Sequence, residues 1–351
     1  MKKYLALLLA LVMALGLCAC GGGAAEEPAQ EEANQTEQTG DLEKIVITEP
    51  VRGYHWAPVY LAQTLGYLAE EGLEAEFQSV SGTPPFAALF SGDAQFTLVG
   101  IESAMIVNEK GQGAKVLAST SQKYPYSLIG ATKDYTTLES LRGGIVAGGV
   151  NTSGGPYSFA MACMNYAGLT PETDVSVITM ASVGYAAAIE AGELQAAVST
   201  NPWAAKILLD NGGQVIVDGT DDAAIQDIIG SASYELFVLM TSDEYLSTNP
   251  ETVQKVMNAV AKAMQWMENA TPEEIAANLL PLFEGAEEEL LYDAQYDKER
   301  SITSYTGYHT ESGYEAAITL TKLAGGITKD LPADQTYDES FLANAWETLN
   351  K

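Results

Sequence analysis

Short β-rich runs alternate with amphipathic stretches of about ten residues along most of this chain, and that alternation limits its fold more than any other feature. The runs are Lys44–Thr48, Glu74–Val80, Phe96–Val99, Lys115–Ser119, Ser127–Ala131, Gly144–Ala147, Val175–Thr179, Gln195–Ser199, Gln214–Val217 and Glu235–Met240. Between most of them lie Ala57–Glu70, Phe86–Ser91, Ala104–Lys110, Tyr157–Tyr166, Tyr185–Ala191 and Trp203–Leu209, where apolar residues recur at helical spacing. Strand–helix alternation predicts an α/β fold of parallel sheets covered by helices. After Thr241 the strand signal stops. Asn249-Pro250-Glu251 opens a long helix with Pro in its first turn, Thr271-Pro272-Glu273-Glu274 opens another, and the C-terminal region is mostly helical.

The N-terminus belongs to targeting and not to the fold. Lys2 and Lys3 precede an apolar run from Tyr4 to Leu17, shorter than the roughly 20 residues of a membrane span. The run ends in Leu17-Cys18-Ala19-Cys20-Gly21, which resembles a bacterial lipobox. That resemblance implies a signal peptide at 1–19, cleavage before Cys20 and a lipid on its sulfur. Cys18 is the competing acceptor, but it follows the bulky Leu17. Residues 20–41 are rich in Gly, Ala, Glu and Gln, too polar to offset the entropy of ordering, and predict a disordered tether. With Lys2 and Lys3 removed, the 17 basic residues fall to 15 against 47 acidic, a formal charge of −32. Such a surface excludes nucleic acid as a partner, because phosphate binding needs a basic footprint.

About 310 residues remain, enough for two cores. Cys163 is their only cysteine, so no disulfide framework holds them; its apolar neighbours predict a buried thiol. His55 and His309 are the only histidines, and neither sits in a metal-ligand pattern. No GxSxG, CxxC, HExxH or P-loop string occurs, so no catalytic residue, metal or cofactor is expected.

Three stretches, in order, resemble the substrate-binding proteins of the nitrate, sulfonate and taurine importers, whose sister branch binds the pyrimidine precursor of thiamine. Ala57-Pro58-Val59-Tyr60-Leu61-Ala62, with Leu65-Gly66-Tyr67-Leu68 and Gly72-Leu73, resembles that family's opening. Leu138-Glu139-Ser140-Leu141-Arg142-Gly143-Gly144 resembles the start of its second lobe. Ala188-Ile189-Glu190-Ala191-Gly192, followed by Asn201-Pro202-Trp203, resembles a later passage, with Asn201 where an acid is commoner. The resemblance implies a two-lobed type II periplasmic-binding-protein fold with two hinge crossovers. Lobe 1 is expected at 42–133 plus 232–351 and lobe 2 at 134–231. It further implies an ABC permease with its ATPase subunit as partners and a monomeric, lipid-anchored protein. Its place is the outer face of the cell membrane, or the periplasm where an outer membrane exists.

Ligand contacts are expected where loops follow strands. Gly148-Gly149-Val150-Asn151-Thr152-Ser153-Gly154-Gly155-Pro156 combines glycines that admit a ligand to the backbone with Asn151, Thr152 and Ser153. The N–H groups of a following helix favour an anion by about 0.3–1 kcal/mol; an ordinary capped helix is the competing reading. Tyr54, His55 and Trp56 offer a stacking surface, or else an apolar plug between helix and sheet. Further contacts are expected at Ser81, Thr83, Gly100, Ser103, Tyr124, Gly154, Asn201 and Trp203. Glu102 would repel an anion if it pointed inward, but it reads rather as a solvated helix cap, and Arg52 reads as a cleft-border residue, with pairing to an acidic ligand the lesser reading. Scarce Arg and abundant aromatics favour an organic ligand, either a small sulfonate or carboxylate or a heteroaromatic such as a pyrimidine. An enzyme on the same fold acting on a vitamin-precursor-like molecule, or a ligand sensor, is the alternative.

Overall fold

The computed structural model describes residues 41–80, 85–152, 154–199 and 202–350. The chain first lays down β1 (Glu43–Glu49), β2 (Leu73–Ser79), β3 (Phe96–Gly100) and β4 (Ala114–Ser119). It continues with β5 (Ser127–Gly130), β6 (Ile145–Ala147), β7 (Ser176–Ile178), β8 (Ala196–Ser199) and β9 (Gln214–Asp218), then β10 (Phe237–Ser242). These form two five-stranded sheets, ordered β2-β1-β3-β10-β4 and β7-β6-β8-β5-β9. Every expected strand run has its counterpart among them.

Each sheet contains one strand against the grain. β1 runs parallel to β2 and β3, and β10 pairs antiparallel with β3 and β4. β6 runs parallel to β7 and β8, and β5 pairs antiparallel with β8 and β9. The reversed strands are the first that the chain makes after leaving the other sheet. Ser127, at the start of β5, lies opposite Ser199 and Asp218, the last residues of β8 and β9. Phe237, at the start of β10, lies opposite Gly100, the last of β3. The carboxyl ends of the parallel strands in both sheets therefore lie at the crossovers, where a ligand crevice of an α/β protein is expected.

One expectation needs correcting. Ser127–Ala131 was assigned with the first lobe, ending at 133, but β5 is hydrogen-bonded only within the second sheet. The outgoing crossover is the segment 120–126. A strand run names no sheet; only the pairing register does.

The helices cover both sheets: α1 (Ala57–Thr64), α2 (Tyr67–Glu70), α3 (Phe86–Ser91), α4 (Ile101–Glu109), α5 (Gly155–Tyr166), α6 (Tyr185–Glu190), α7 (Pro202–Asp210) and α8 (Asp222–Ile229). They are followed by α9 (Asp243–Thr248), α10 (Pro250–Asn269), α11 (Pro272–Leu279), α12 (Glu287–Arg300), α13 (Glu311–Leu323), α14 (Ala333–Thr336) and α15 (Ser340–Leu349). The stretch expected as one helix, Ala57–Glu70, is broken at Gly66, whose φ of 80° suits glycine. α10 buries Val253, Val256, Met257, Val260, Met264 and Met267, a stripe at steps of three and four, against α1 and α15. α11 starts with a reciprocal cap in which Thr271 and Glu274 each satisfy the other's backbone N–H. Cys163 is buried in α5, and burial pushes its thiol upward. No helix among the described residues is long and apolar enough to cross a membrane.

Candidate functional site

The carboxyl edge of the first sheet carries three contact-bearing segments. After β1, Tyr54–Trp56 form a 3-10 turn that leads into α1. After β3, Gly100 starts α4, bringing Glu102 and the half-buried Ser103 into its first turn. After β4, the outgoing crossover carries Tyr124 and Tyr126, and the return segment brings Tyr234 and Leu236 back beside them. From the second sheet, the loop after β6 delivers Gly154 and Gly155 at the start of α5. Tyr124 Oη donates to the Gly155 carbonyl at 3.3 Å, linking the crossover to that helix start.

An aromatic cluster fills the junction. His55 stacks on Phe237 with ring centroids 4.1 Å apart and meets Trp56 edge-on at 4.4 Å. Trp56 meets Phe237 at 5.3 Å, and Phe237 meets Tyr126 at 6.4 Å. Tyr124 touches Tyr126, Tyr234 and Phe159 at 4.5–4.9 Å. Both readings of Tyr54–Trp56 leave traces. Trp56 is 2% exposed and Tyr54 is buried, its hydroxyl donated to Asp297 Oδ2 at 3.1 Å, so the two rings serve as packing. Trp56 Nε1, however, is buried without a hydrogen-bond partner among the described residues. Burial lowers the pKa of His55 to about 3, so it is neutral at physiological pH.

Sequence reasoning favoured a solvated position for the central polar group. Glu102 is 1% exposed, not the solvated cap it was read as. Tyr234 Oη donates to its Oε1 at 2.9 Å, while Oε2 has no partner among the described residues. Burial raises its carboxyl to about 7. Its position two residues after a strand-terminal glycine was the available signal. A solvated cap has the same local sequence, and only the return of Tyr234 from a distant part of the chain covers it.

The cations near the junction are already engaged. Arg52 binds Glu49 at 2.9 Å and the carbonyls of Leu282 and Phe77, so its guanidinium is held within the protein. Lys123 pairs with Asp222 at 2.7 Å, and Arg300 with Asp218 at 3.0 Å. Among the described residues no cluster of three or more His, Cys, Asp or Glu could hold a metal.

The remaining expected contacts divide. Asn151 and Thr152 are exposed in the loop before α5, and Gly154 caps that helix without a side-chain bond. Trp203 lies apart from the aromatic cluster. Its backbone N–H donates to Asp293 Oδ1 at 3.1 Å and its ring meets Tyr292, so it packs α7 onto α12. Ser81, Thr83, Ser153, Asn201 and Cys20 lie outside the described residues.

A family model described as NMT1/THI5 like matches residues 54–275. YtlA of Bacillus subtilis (strain 168), which carries the name of a binding protein, is 23% identical over 319 residues, covering 87% of this chain and 90% of that one. The periplasmic aliphatic sulphonate binding protein SsuA from Escherichia coli has a similar structure, with a TM-score of 0.65, 16% identity and coverage of 86% of this chain and 99% of that one. The desulfurization enzyme DSZB shares the fold at a TM-score of 0.61 and 15% identity, covering 88% of this chain and 99% of that one. The two sheets, their reversed crossover strands and the match across residues 54–275 agree: the chain belongs to the NMT1/THI5-like family and has the fold of the periplasmic binding proteins.

Proposed function

We propose that this protein is an extracytoplasmic solute-binding lipoprotein. It captures a small organic molecule where the carboxyl edges of its two sheets meet and delivers it to an ABC permease and its ATPase. The observation that carries the reading is the junction itself: two sheets joined by crossovers, with buried aromatic rings and buried polar atoms without partners, Trp56 Nε1 and Glu102 Oε2 among them, at the meeting edge. Ligands of α/β proteins bind at such edges, and apolar rings with few polar groups suit a small organic molecule. Contacts from both sheets are required, because a solute shifts a hinge only by its preference for the closed state. His55, Gly100, Ser103 and Tyr124 serve from the first side, and Asn151, Thr152 and Gly154 from the second. Cys20 carries the lipid, and residues 20–41 tether the monomeric domain 42–351 to the membrane.

The family match and the binding-protein name of YtlA favour capture over the enzyme reading, which the fold of DSZB keeps open as a comparison. The test is mass spectrometry of small molecules released from protein purified under native conditions, with X-ray scattering before and after their removal. A retained solute whose removal expands the particle is expected. A solute that the protein converts to product would establish the enzyme instead, and no retained solute with no change in scattering would end the capture reading.

A further inference from the structure

The unpaired oxygen of Glu102 constrains what the junction can hold. A polar atom buried without a partner costs about 1–3 kcal/mol, and more when charged, so folded proteins rarely leave one. Glu102 Oε2 is such an atom, on a side chain 1% exposed. It also lies where the two sheets approach. A Cβ placed on Gly100 would be 2.7 Å from Oε2 and 3.7 Å from Leu236 Cδ1. A Cβ placed on Gly155, from the second side, would be 3.1 Å from that same Leu236 atom and 2.4 Å from Tyr126 Oη. The oxygen thus sits beside the Gly100 backbone and is linked through Leu236 to Gly155 on the second side, near Tyr124, Tyr126 and Tyr234.

An anionic group arriving here would meet a carboxylate and electron-rich ring faces. Arg52, Lys123 and Arg300 already hold acidic partners, and His55 is neutral. A group bearing N–H finds the opposite: an acceptor lacking a donor, and rings that attract positive charge by about 0.5–2 kcal/mol each. Resting on the capture reading above, we propose that Glu102 selects the solute through an N–H donor. The solute class is therefore a protonated amine, an amidine or an amino-heterocycle, and not a sulfonate, carboxylate or nitrate without such a group. Tyr234 is the positioning residue: its hydroxyl occupies Oε1 and leaves Oε2 for the ligand.

The proton supplies an independent readout. Only the ionised carboxylate accepts two donors, and burial puts its titration at about pH 7. The facing phenols of Tyr124, Tyr126 and Tyr234 are pushed well above their ordinary range by burial and stay neutral near pH 7. A donor ligand therefore expels a proton, and its affinity rises by about tenfold between pH 6 and 8 as the competent fraction grows. An acceptor ligand shows the reverse.

The mature chain is titrated by calorimetry and tryptophan fluorescence with benzylamine, putrescine, benzamidine, cytosine and adenine. Methanesulfonate, benzenesulfonate, benzoate and nitrate form the opposing set. Binders are expected only in the first set, with proton release, tightening toward pH 8, and a loss of at least tenfold in Glu102→Gln. Should Glu102→Gln fail to melt cooperatively, Glu102→Asp, which withdraws the charge by one methylene, carries the same expected loss. Binding confined to the second set, donor binding that weakens toward pH 8, equal affinity in the variants, or no donor binding at all overturns the proposal. The released solute separates the two failures. An anion without N–H ends the donor assignment and leaves capture standing, whereas no solute and no compaction ends capture as well.

Discussion

At the scale of single residues, Trp56 and Glu102 separate packing from selection. The Trp56 ring meets the stacked His55 and Phe237 rings edge-on and is nearly inaccessible. Trp56→Ala is expected to cost about 3–5 kcal/mol of stability, as large-to-small changes in a core do. Trp56→Phe should recover much of that and remove only Nε1. Chemical unfolding of both variants checks this, and an unshifted midpoint for Trp56→Ala would show the ring to be a free platform. Glu102 acts through protons. Its carboxyl rises from the ordinary 4.5 to about 7 on burial, so the folded chain holds a proton that the unfolded chain releases. Its contribution to stability is fully present below pH 4.5 and is lost as pH rises through about 7. At ~1.4 kcal/mol per pH unit the loss is on the order of 3 kcal/mol. Asp293, raised by burial to about 8, acts in the same direction, so the informative quantity is wild type minus Glu102→Gln. Denaturant midpoints of the ligand-free proteins should diverge between pH 5 and 8 in favour of the variant at the higher pH. Parallel profiles would place the carboxyl in solvent.

At the scale of elements, the start of α5 decides how closely the two sides meet. A Cβ at Gly155 would lie 2.4 Å from Tyr126 Oη, which is far inside contact distance. Gly155→Ala is expected to cost about 1–3 kcal/mol in the joined arrangement, the usual range for overpacking. Binding of the native solute should weaken by about tenfold or more, since each ~1.4 kcal/mol is a factor of ten. A variant that melts and binds as wild type would show that α5 stands clear of Tyr126 in solution. The capping box of α11 gives a calibration away from the junction: Thr271→Ala should lose about 1 kcal/mol by thermal melting and leave binding unchanged.

At the scale of the whole molecule, the crossovers and the proposed tether carry the expectations. Segment 120–126 and the return before β10 are the chain crossings between the two sheets, and the proposed hinge lies there. Hinge closure uses a few residues at element ends, and these segments have that character. Membrane attachment is expected to depend on Cys20: Cys20→Ala should release the chain into the medium or periplasm, or leave it unprocessed, as fractionation and intact-mass measurement would show. A processed variant that keeps a lipid on Cys18 would move the anchor there. One lipid chain binds a membrane only marginally, so a stable anchor needs more than one acyl group.

The sequence by itself determined the strands, most of the helices and the family. Period-two and period-3.6 patterns are local, and the motifs from Ala57 to Trp203 stand in the order that the family match spans. It located Tyr54, Trp56, Gly100, Tyr124 and Gly154 near strand ends, because strand ends are also visible locally. The sheet that β5 joins was decided only by its register with β8 and β9, a pairing across about 70–90 residues of chain. The burial of Glu102 was likewise decided by tertiary structure, since Tyr234 and Leu236 arrive from more than 130 positions away. The hold on Arg52 was legible only in part, since Glu49 is three residues away but Phe77 and Leu282 are remote in sequence. Local pattern specifies which atoms lie at the edge of a sheet; whether an atom there is covered, paired or left open depends on long-range packing, which no window of sequence contains.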